Sequence, residues 1–384
     1  KNVMQGYSIN EANYIDSIRG IDIIKGFSKQ NLFLKKNETI FGFFQTKIFE
    51  LGKVNLKIGL VSGLALVFFL LIILSLSSYN VLTNEIKVGE LMAIIGISSS
   101  LLSSITNLAL VSIPIQEAKV AFDRMFEYST VEKEQTKGEK ILELNSISLN
   151  SVDFRFKGRS KLLSGISFKI EKGKIICLLG ESGNGKTTLT EILQKNYLPE
   201  NGSILVNDNL DLQNIALENW RKLVAVVPQN IQLFNGNVLE NIVLDEKLDE
   251  AKFQKVMSLG FDNFITSLPH NVSTIVGEEG VNLSGGQKQL LGWMRALYHN
   301  PQFLILDEPT SSLDKANRKF IYDLILKLKN TTAIFIISHN LEDLNEISDE
   351  VLVLDNSKIE ASVNHAYKQE SFYLFSEMVE RVNK

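Results

Sequence analysis

The chain has 384 residues, with 40 Lys and Arg against 44 Asp and Glu and a formal net charge of −4. That length leaves room for two or three domains, and a slightly acidic balance without a basic run argues against nucleic acid as a partner. A single cysteine, Cys177, excludes an internal disulfide, and four histidines are too scattered to suggest a zinc site. The chain opens on Lys1 in mid-pattern, with neither an initiator methionine nor a signal peptide, as expected for a fragment of a longer protein.

Residues 1 to about 57 mix polar and apolar side chains at helical spacing. Ile15, Ile18, Ile21 and Ile24 recur about every three residues, with Gly20 and Gly26 as breaks. Ile58 to Asn84 contains no charged residue, and neither does Leu91 to Gln116, the stretch that follows. A bilayer core needs roughly 20 such residues, so both stretches are long enough to span; a buried helix pair of a soluble protein is the competing reading. Lys47, Lys53 and Lys57 flank the first stretch, Lys119 and Arg124 the second, and only Lys87 lies between. This distribution puts the outer flanks in the cytoplasm and the short loop outside. The second stretch is polar for a span. Ser99 and Ser103, or Ser100 and Ser104, would let helices pack closely, while Ser103, Thr106 and Asn107 could instead face a polar pathway. Pro114 is expected to end or kink that helix. Two spans cannot enclose a pathway, so further helices are implied.

The charged run 132–140 reads as a solvated linker. Strand-like runs follow at Ile147–Phe156 and Ile166–Ile170, and then an apolar run, Ile175 to Leu179. Directly after it, Gly180, Glu181, Ser182, Gly183, Asn184, Gly185, Lys186, Thr187 and Thr188 fit G-x-x-x-x-G-K-[ST] and lead into a helical pattern. In that strand–loop–helix context the backbone N–H groups cradle phosphates. Lys186 reaches the β- and γ-phosphates and the Thr187 hydroxyl binds Mg2+. Cys177 lies in the strand before the loop, where a small buried residue is expected. Gln229 follows another apolar strand, and 238–269 reads as helical. Ser284 and Gln287 have the form of a capping box, with Gly285 and Gly286 in the first helical turn, where they allow close approach to the backbone. The run Phe303 to Leu306 is a strand buried on both faces, and it ends in two acids, Asp307 and Glu308. His339 follows the apolar run Ile334–Ile337, and from Asp349 a short strand pattern precedes a polar helical tail. Strands and helices alternate throughout, as in a mostly parallel sheet covered by helices.

Leu283–Gln287 (LSGGQ), the phosphate loop at 180–188 and LILDEPTSSLD at 304–314 together resemble the nucleotide-binding domain of ABC transporters. The pentapeptide is not shared by kinases or small GTPases. The N-terminal third resembles the end of an exporter's membrane domain, so the resemblance covers essentially the whole chain. It implies an α/β fold class in three parts: a partial, all-α transmembrane domain at 1–131 (spans about 58–80 and 91–114, coupling region about 10–50), a linker at 132–140, and an ABC-type P-loop NTPase with a helical subdomain at 141–384. A coupling helix is expected near Ile18 to Lys25.

The same resemblance implies roles. Phe156 stands where an aromatic, usually Tyr, stacks on adenine; a core aromatic is the alternative. Gln229 contacts Mg2+ and the attacking water, and Asp307 holds Mg2+ largely through water. Glu308 is the general base, His339 contacts the γ-phosphate, and Asp314 belongs to the loop that crosses to a partner subunit. Ser284, Gly285, Gly286 and Gln287 close over the ATP held by Lys186 of a second copy, so the cofactors are ATP and Mg2+ and the working unit is a head-to-tail dimer. A multi-pass protein of the bacterial inner membrane with its ATPase in the cytoplasm follows. The stretches 51–65 and 113–127 look similar to bacterial peptide and bacteriocin exporters, which makes a peptide the expected cargo, with lipid or drug export as the runner-up. A soluble, non-transport ABC ATPase would need no membrane segment, and the two uncharged stretches argue against it.

Overall fold

An uncharged stretch as long as 58–84 can satisfy its backbone polar groups in an apolar medium only by coiling into a helix, and the N-terminal unit consists of helices. The computed structural model describes residues 2–127, 137–181, 183–244, 247–277, 282–338 and 347–364, with Ser129, Glu134 and Gly280 besides. The chain divides into two compact units, residues 1–133 and 134–384. In the first, α1 covers Asn2–Arg19, α2 Ile21–Gly26, α3 Gln30–Leu82 and α4 Val88–Glu127. Gly20 stands at the break before α2, and Ser28, with φ 52°, lies in the turn after it. The Asn13 amide of α1 donates to the Asn37 side chain of α3, which ties these two helices together.

Helix α3 has 53 residues and is therefore about 80 Å long, far more than the roughly 30 Å of a bilayer core. It is long and apolar enough to cross a membrane. Leu60, Leu64 and Phe68 are each more than 60 % exposed, which in water would forgo about 25 cal/mol for every Å2 of apolar surface left unburied. Lipid or further helices remove that penalty. Pro114 does not end its helix, since α4 runs through it to Glu127. Where no water could replace a lost bond, continuing the helix would keep the neighbouring backbone groups bonded. The Ser99 and Ser104 hydroxyls donate to the carbonyls of Gly96 and Ser100 in their own helix, both at 2.9 Å. The side chains of Ser103, Thr106 and Asn107 lie outside the described ones.

The second unit begins with β1 (Ser146–Phe154), β2 (Leu163–Glu171), β3 (Ile175–Leu179) and α5 (Lys186–Leu193). It continues with β4 (Asn201–Val206), β5 (Leu210–Asp211), α6 (Leu217–Leu223), β6 (Val224–Val227) and β7 (Gly236–Asn237). A helical stretch follows: α7 (Val238–Val243), α8 (Glu250–Val256) and α9 (Asp262–Thr266), then the short β8 (Ile275–Val276). Last come α10 (Gly285–Tyr298), β9 (Phe303–Asp307), α11 (Lys315–Leu328), β10 (Ala333–Ile337), β11 (Glu350–Asp355) and β12 (Lys358–Asn364). The polar tail at 365–384 lies outside the described residues.

Six strands form one sheet in the order β12-β11-β3-β10-β9-β6. Neighbours from β11 to β6 are parallel and β12 is antiparallel at the edge. A second, antiparallel sheet has the order β2-β1-β4-β5. Strand β3 is buried along its whole length, and its residues alternate between two cores. Ile175, Cys177 and Leu179 pack into the core that includes α10 and α11. Ile176 and Leu178 face the core shared with β1, β2 and α5. Burial pushes the Cys177 thiol far up, so it stays protonated and inert.

Part of the 132–140 stretch is not free in solvent. Glu134 accepts two hydrogen bonds from the Arg221 guanidinium at 2.7 Å. Glu139 exchanges backbone bonds with Asn214 and Ala216, both at 2.8 Å. A Cβ on Gly138 would stand 2.5 Å from the Ala216 nitrogen, so the close approach depends on glycine. The described residues of this stretch thus lie against the rest of the second unit.

Candidate functional site

Parallel register brings the chemistry to one edge. Ile337 of β10 stands opposite Leu178 of β3 on one side and Asp307 of β9 on the other. The loop that leaves β3 and the acids that end β9 therefore emerge level with each other. On β6, Val227 pairs with Leu306, which carries Gln229 to the same edge. A cleft of about 300 Å3 lies there, lined by Leu162, Gly180, Gly183, Gly185, Lys186, Thr187, Thr188, Gln229, Asp307 and Glu308. That volume is at the lower end of small-molecule sites.

The loop needs its glycines for two reasons. Gly183 and Gly185 have φ of 93° and 95°, which side chains rarely adopt. A Cβ on Gly180 would stand 2.5 Å from the Leu354 carbonyl of β11. Lys186 opens α5 and curls back over the loop, donating to the carbonyls of Gly180 (2.6 Å) and Glu181 (2.8 Å). Asn184 turns the other way and donates to the Leu354 carbonyl at 3.3 Å. Ser182 and His339 lie outside the described residues.

Electrostatically the cleft is strained. Burial pushes the Lys186 ammonium below its ordinary range, while Glu308 and Asp307 oppose that shift. Burial also holds the Asp307 carboxyl above the usual carboxylate range, and the Glu308 charge adds to it; Lys186 and a hydrogen bond from Thr187 act in the opposite direction. Glu308 is only 8 % exposed and adopts a left-handed backbone, with φ 51°. Its N–H donates to the Ile337 carbonyl at 2.9 Å. The donors facing the cleft from Asp307, Thr187 and Gln229 are hard oxygens, and two neighbouring acids invite a cation, so this set fits Mg2+. Among the described residues no group of three or more His, Cys, Asp and Glu gathers as a transition-metal site would.

The pentapeptide is placed elsewhere. Ser284 caps α10: its hydroxyl accepts from the Gln287 N–H at 3.2 Å, and the Gln287 side chain accepts from the Ser284 N–H at 2.9 Å. Ser284, Gly285, Gly286 and Gln287 do not line the cleft that holds Lys186, and Ser284 and Gly285 are exposed. A Cβ on Gly286 would stand 3.1 Å from the Ser312 carbonyl. Asp314 has a local duty that the sequence did not announce: it caps α11, accepting from the Asn317 N–H at 2.8 Å. Phe156 joins Phe154 and Tyr197 in edge-to-face contacts, with centroids 5.1 and 5.6 Å away, and it does not line the cleft. Sequence reasoning missed Leu162, a cleft wall with no motif to mark it. It also missed Gln289, a buried amide on α10 that donates to the Glu308 carbonyl at 2.9 Å and accepts from the Ser312 N–H at 3.0 Å.

Because the folded state holds the Asp307 carboxyl above its ordinary range, it binds that proton more readily than the unfolded chain does. Stability therefore falls as pH rises from the ordinary carboxylate range through the raised value, and the full penalty stands at neutral pH. Asp307→Asn removes the charge. We expect it to raise the thermal midpoint of the protein by a few degrees at pH 7 without nucleotide, and to weaken the further rise caused by Mg2+ with ATP. A lower midpoint without nucleotide would contradict the assigned strain.

Comparison with known proteins adds four observations. Residues 163–311 match the ABC transporter family. The chain is 32 % identical over 367 residues to the ATP-dependent lipid A-core flippase of Saccharophagus degradans, across 91 % of this chain and 60 % of that protein. It is also 32 % identical over 309 residues to the leukotoxin translocation ATP-binding protein of Mannheimia glucosida, across 78 % of this chain and 43 % of that protein. The chain thus spans about half the length of these curated relatives. In fold, it superposes on the structure of a bacterial Atm1-family ABC exporter with ATP bound, with a TM-score of 0.87 over 99 % of this chain and 67 % of that one, at 24 % identity.

Proposed function

We propose, for a chain that belongs to the ABC transporter family and carries its ATPase domain, that it is the C-terminal part of an exporter subunit that drives transport by ATP hydrolysis. One observation carries the reading most: Lys186, Thr187, Gln229, Asp307 and Glu308 converge on a single cleft at the ends of parallel strands. The glycine loop and the start of α5 receive the phosphates, since backbone N–H groups and a helix N-terminus favour anions. Lys186 leaves its two carbonyl partners for the β- and γ-phosphates. Mg2+, held by Thr187, Asp307 (largely through water) and Gln229, would neutralise phosphate charge. Gln229 orients the attacking water and Glu308 takes its proton, with His339 completing the contact to the γ-phosphate. Phosphoryl transfer needs mainly positioning and charge stabilisation, which this set supplies. Phe156 offers a ring face to adenine.

Ser284 and Gly285 stand exposed, and the stretch from Ser284 to Gln287 does not line the cleft of its own chain, which supports its use on the nucleotide of a second copy. Two ATP molecules are then held head to tail between two ATPase units, with Asp314 near the junction. The γ-phosphate binds the closed pair better than the open one, and only such a difference lets a ligand shift a conformational equilibrium. Helix α3 and the uncharged stretch within α4 cross the membrane with both outer flanks, and the ATPase unit, in the cytoplasm; α2, inside the expected coupling region, relays closure. The remaining helices of the pathway come from the partner and from sequence beyond this chain.

Glu308→Gln should keep ATP binding, abolish turnover and accumulate the closed dimer; undiminished phosphate release would overturn the assignment of the base. Ser284→Arg places a long cation in the junction and should block hydrolysis without unfolding the unit, and unchanged cooperative ATPase would remove the sandwich.

For cargo, the stretches 51–65 and 113–127 favour a peptide, and a relative named for leukotoxin translocation is in keeping with that. The relative named as a lipid A-core flippase, aligned across 91 % of this chain, supports a lipid equally. The two readings separate on ATPase stimulation in proteoliposomes. A peptide with a double-glycine leader should raise turnover if the cargo is a peptide, and lipid A-core should do so if it is a lipid. Stimulation by neither would discard both.

A further inference from the structure

We propose that Gln289 is a positioning residue for Glu308, holding the turn that aims its carboxylate into the cleft. The inference rests on the reading of Glu308 as general base. Glu308 sits in the left-handed region, where a long side chain is rare, so the conformation persists only where its surroundings dictate it. Those surroundings can be named. Before the turn, the Glu308 N–H is fixed to the Ile337 carbonyl of β10 at 2.9 Å. Within it, the Gln289 amide donates to the Glu308 carbonyl at 2.9 Å and accepts from the Ser312 N–H at 3.0 Å, so one side chain spans the turn from end to end. Beside it, the Trp293 indole donates to the Pro309 carbonyl at 3.3 Å.

Gln289 is 2 % exposed and Trp293 fully buried. A buried amide bonded at both ends is directional, and removing it strands a carbonyl and an N–H inside the protein. An apolar residue of the same size would fill the space and leave the turn unclipped. The clip also sets Glu308 against a fixed point of α10, the helix that begins at the exposed Ser284. Gln289 does not line the cleft, so its effect falls on the aim of the base and not on affinity.

The test uses the whole membrane-embedded protein. Gln289→Met should lower kcat by up to about 100-fold, the cost of misplacing a catalytic group by about 1 Å. KM for ATP and the binding of a fluorescent ATP analogue should stay within twofold. Gln289→Glu keeps the shape. As the neutral acid it donates to the Glu308 carbonyl and accepts from Ser312, and as the carboxylate it cannot donate. Its kcat relative to wild type should therefore fall as pH rises, while the ratio for Gln289→Met stays flat. Wild-type kcat in Gln289→Met, or a ratio for Gln289→Glu independent of pH, would overturn the proposal, and so would parallel losses of nucleotide binding and kcat in both variants. Glu308→Gln, measured beside them, separates the two levels. If it turns over normally, the reading of Glu308 fails and this proposal with it; if it is inactive while Gln289→Met is not, only the role of Gln289 falls.

Discussion

The pairing of Ile337 with Leu178 on one side and Asp307 on the other is the constraint on which the rest of the second unit depends. A strand buried on both faces can carry polar chemistry only beyond its ends. Strands β3 and β10 are buried along their whole length, and β9 is buried up to Asp307. The lateral register then decides which loops meet. A slip of one residue on β9 would move Asp307 by about 3.3 Å and turn its side chain to the other face. The alternation of β9 side chains between the same two cores, Leu304 and Leu306 in one and Phe303 and Ile305 in the other, makes that slip costly, because every apolar residue would change sides at once.

The stability of the fold and the demands of the site pull in opposite directions. The sheet and its two cores gain from burying apolar surface. The cleft they create half-buries a lysine and an aspartate beside a buried glutamate, and the shifts of Lys186 and Asp307 both disfavour the charged forms. Such a site is pre-strained, and a polyanion with its counter-cation would relieve both shifts together. Strained groups of this kind gather where ligands bind.

What the sequence made legible was local. The phosphate loop, the Ser284–Gln287 capping box, the buried runs of β3, β9 and β10 and the helical stretch after Val238 all follow from spacing within a few residues. What it hid was long-range or ambiguous. Nothing near Gln289 says that its amide reaches a carbonyl 19 residues away. The charge of 132–140 reads as solvent-facing until Arg221 is placed beside Glu134. Pro114 lacks the N–H that the helix ladder needs and reads as a stop, yet α4 carries on through it to Glu127. Asp314 shows the limit of reading one role from one residue: the resemblance implies a subunit contact, and the fold gives the same carboxylate a helix to cap.

Arg295, ten residues beyond the start of α10, is fastened on the far side of that helix. Its guanidinium donates to the carbonyls of Gln232 and Asn241, both at 2.8 Å, and the Asn241 side chain in turn grips both backbone groups of Phe234. The segment downstream of Gln229 is thereby bolted to the rod that bears the pentapeptide at its tip. One guanidinium thus ties the backbone at Gln232 and at Asn241 to that rod, so loss of the Arg295 side chain would unfasten both at once.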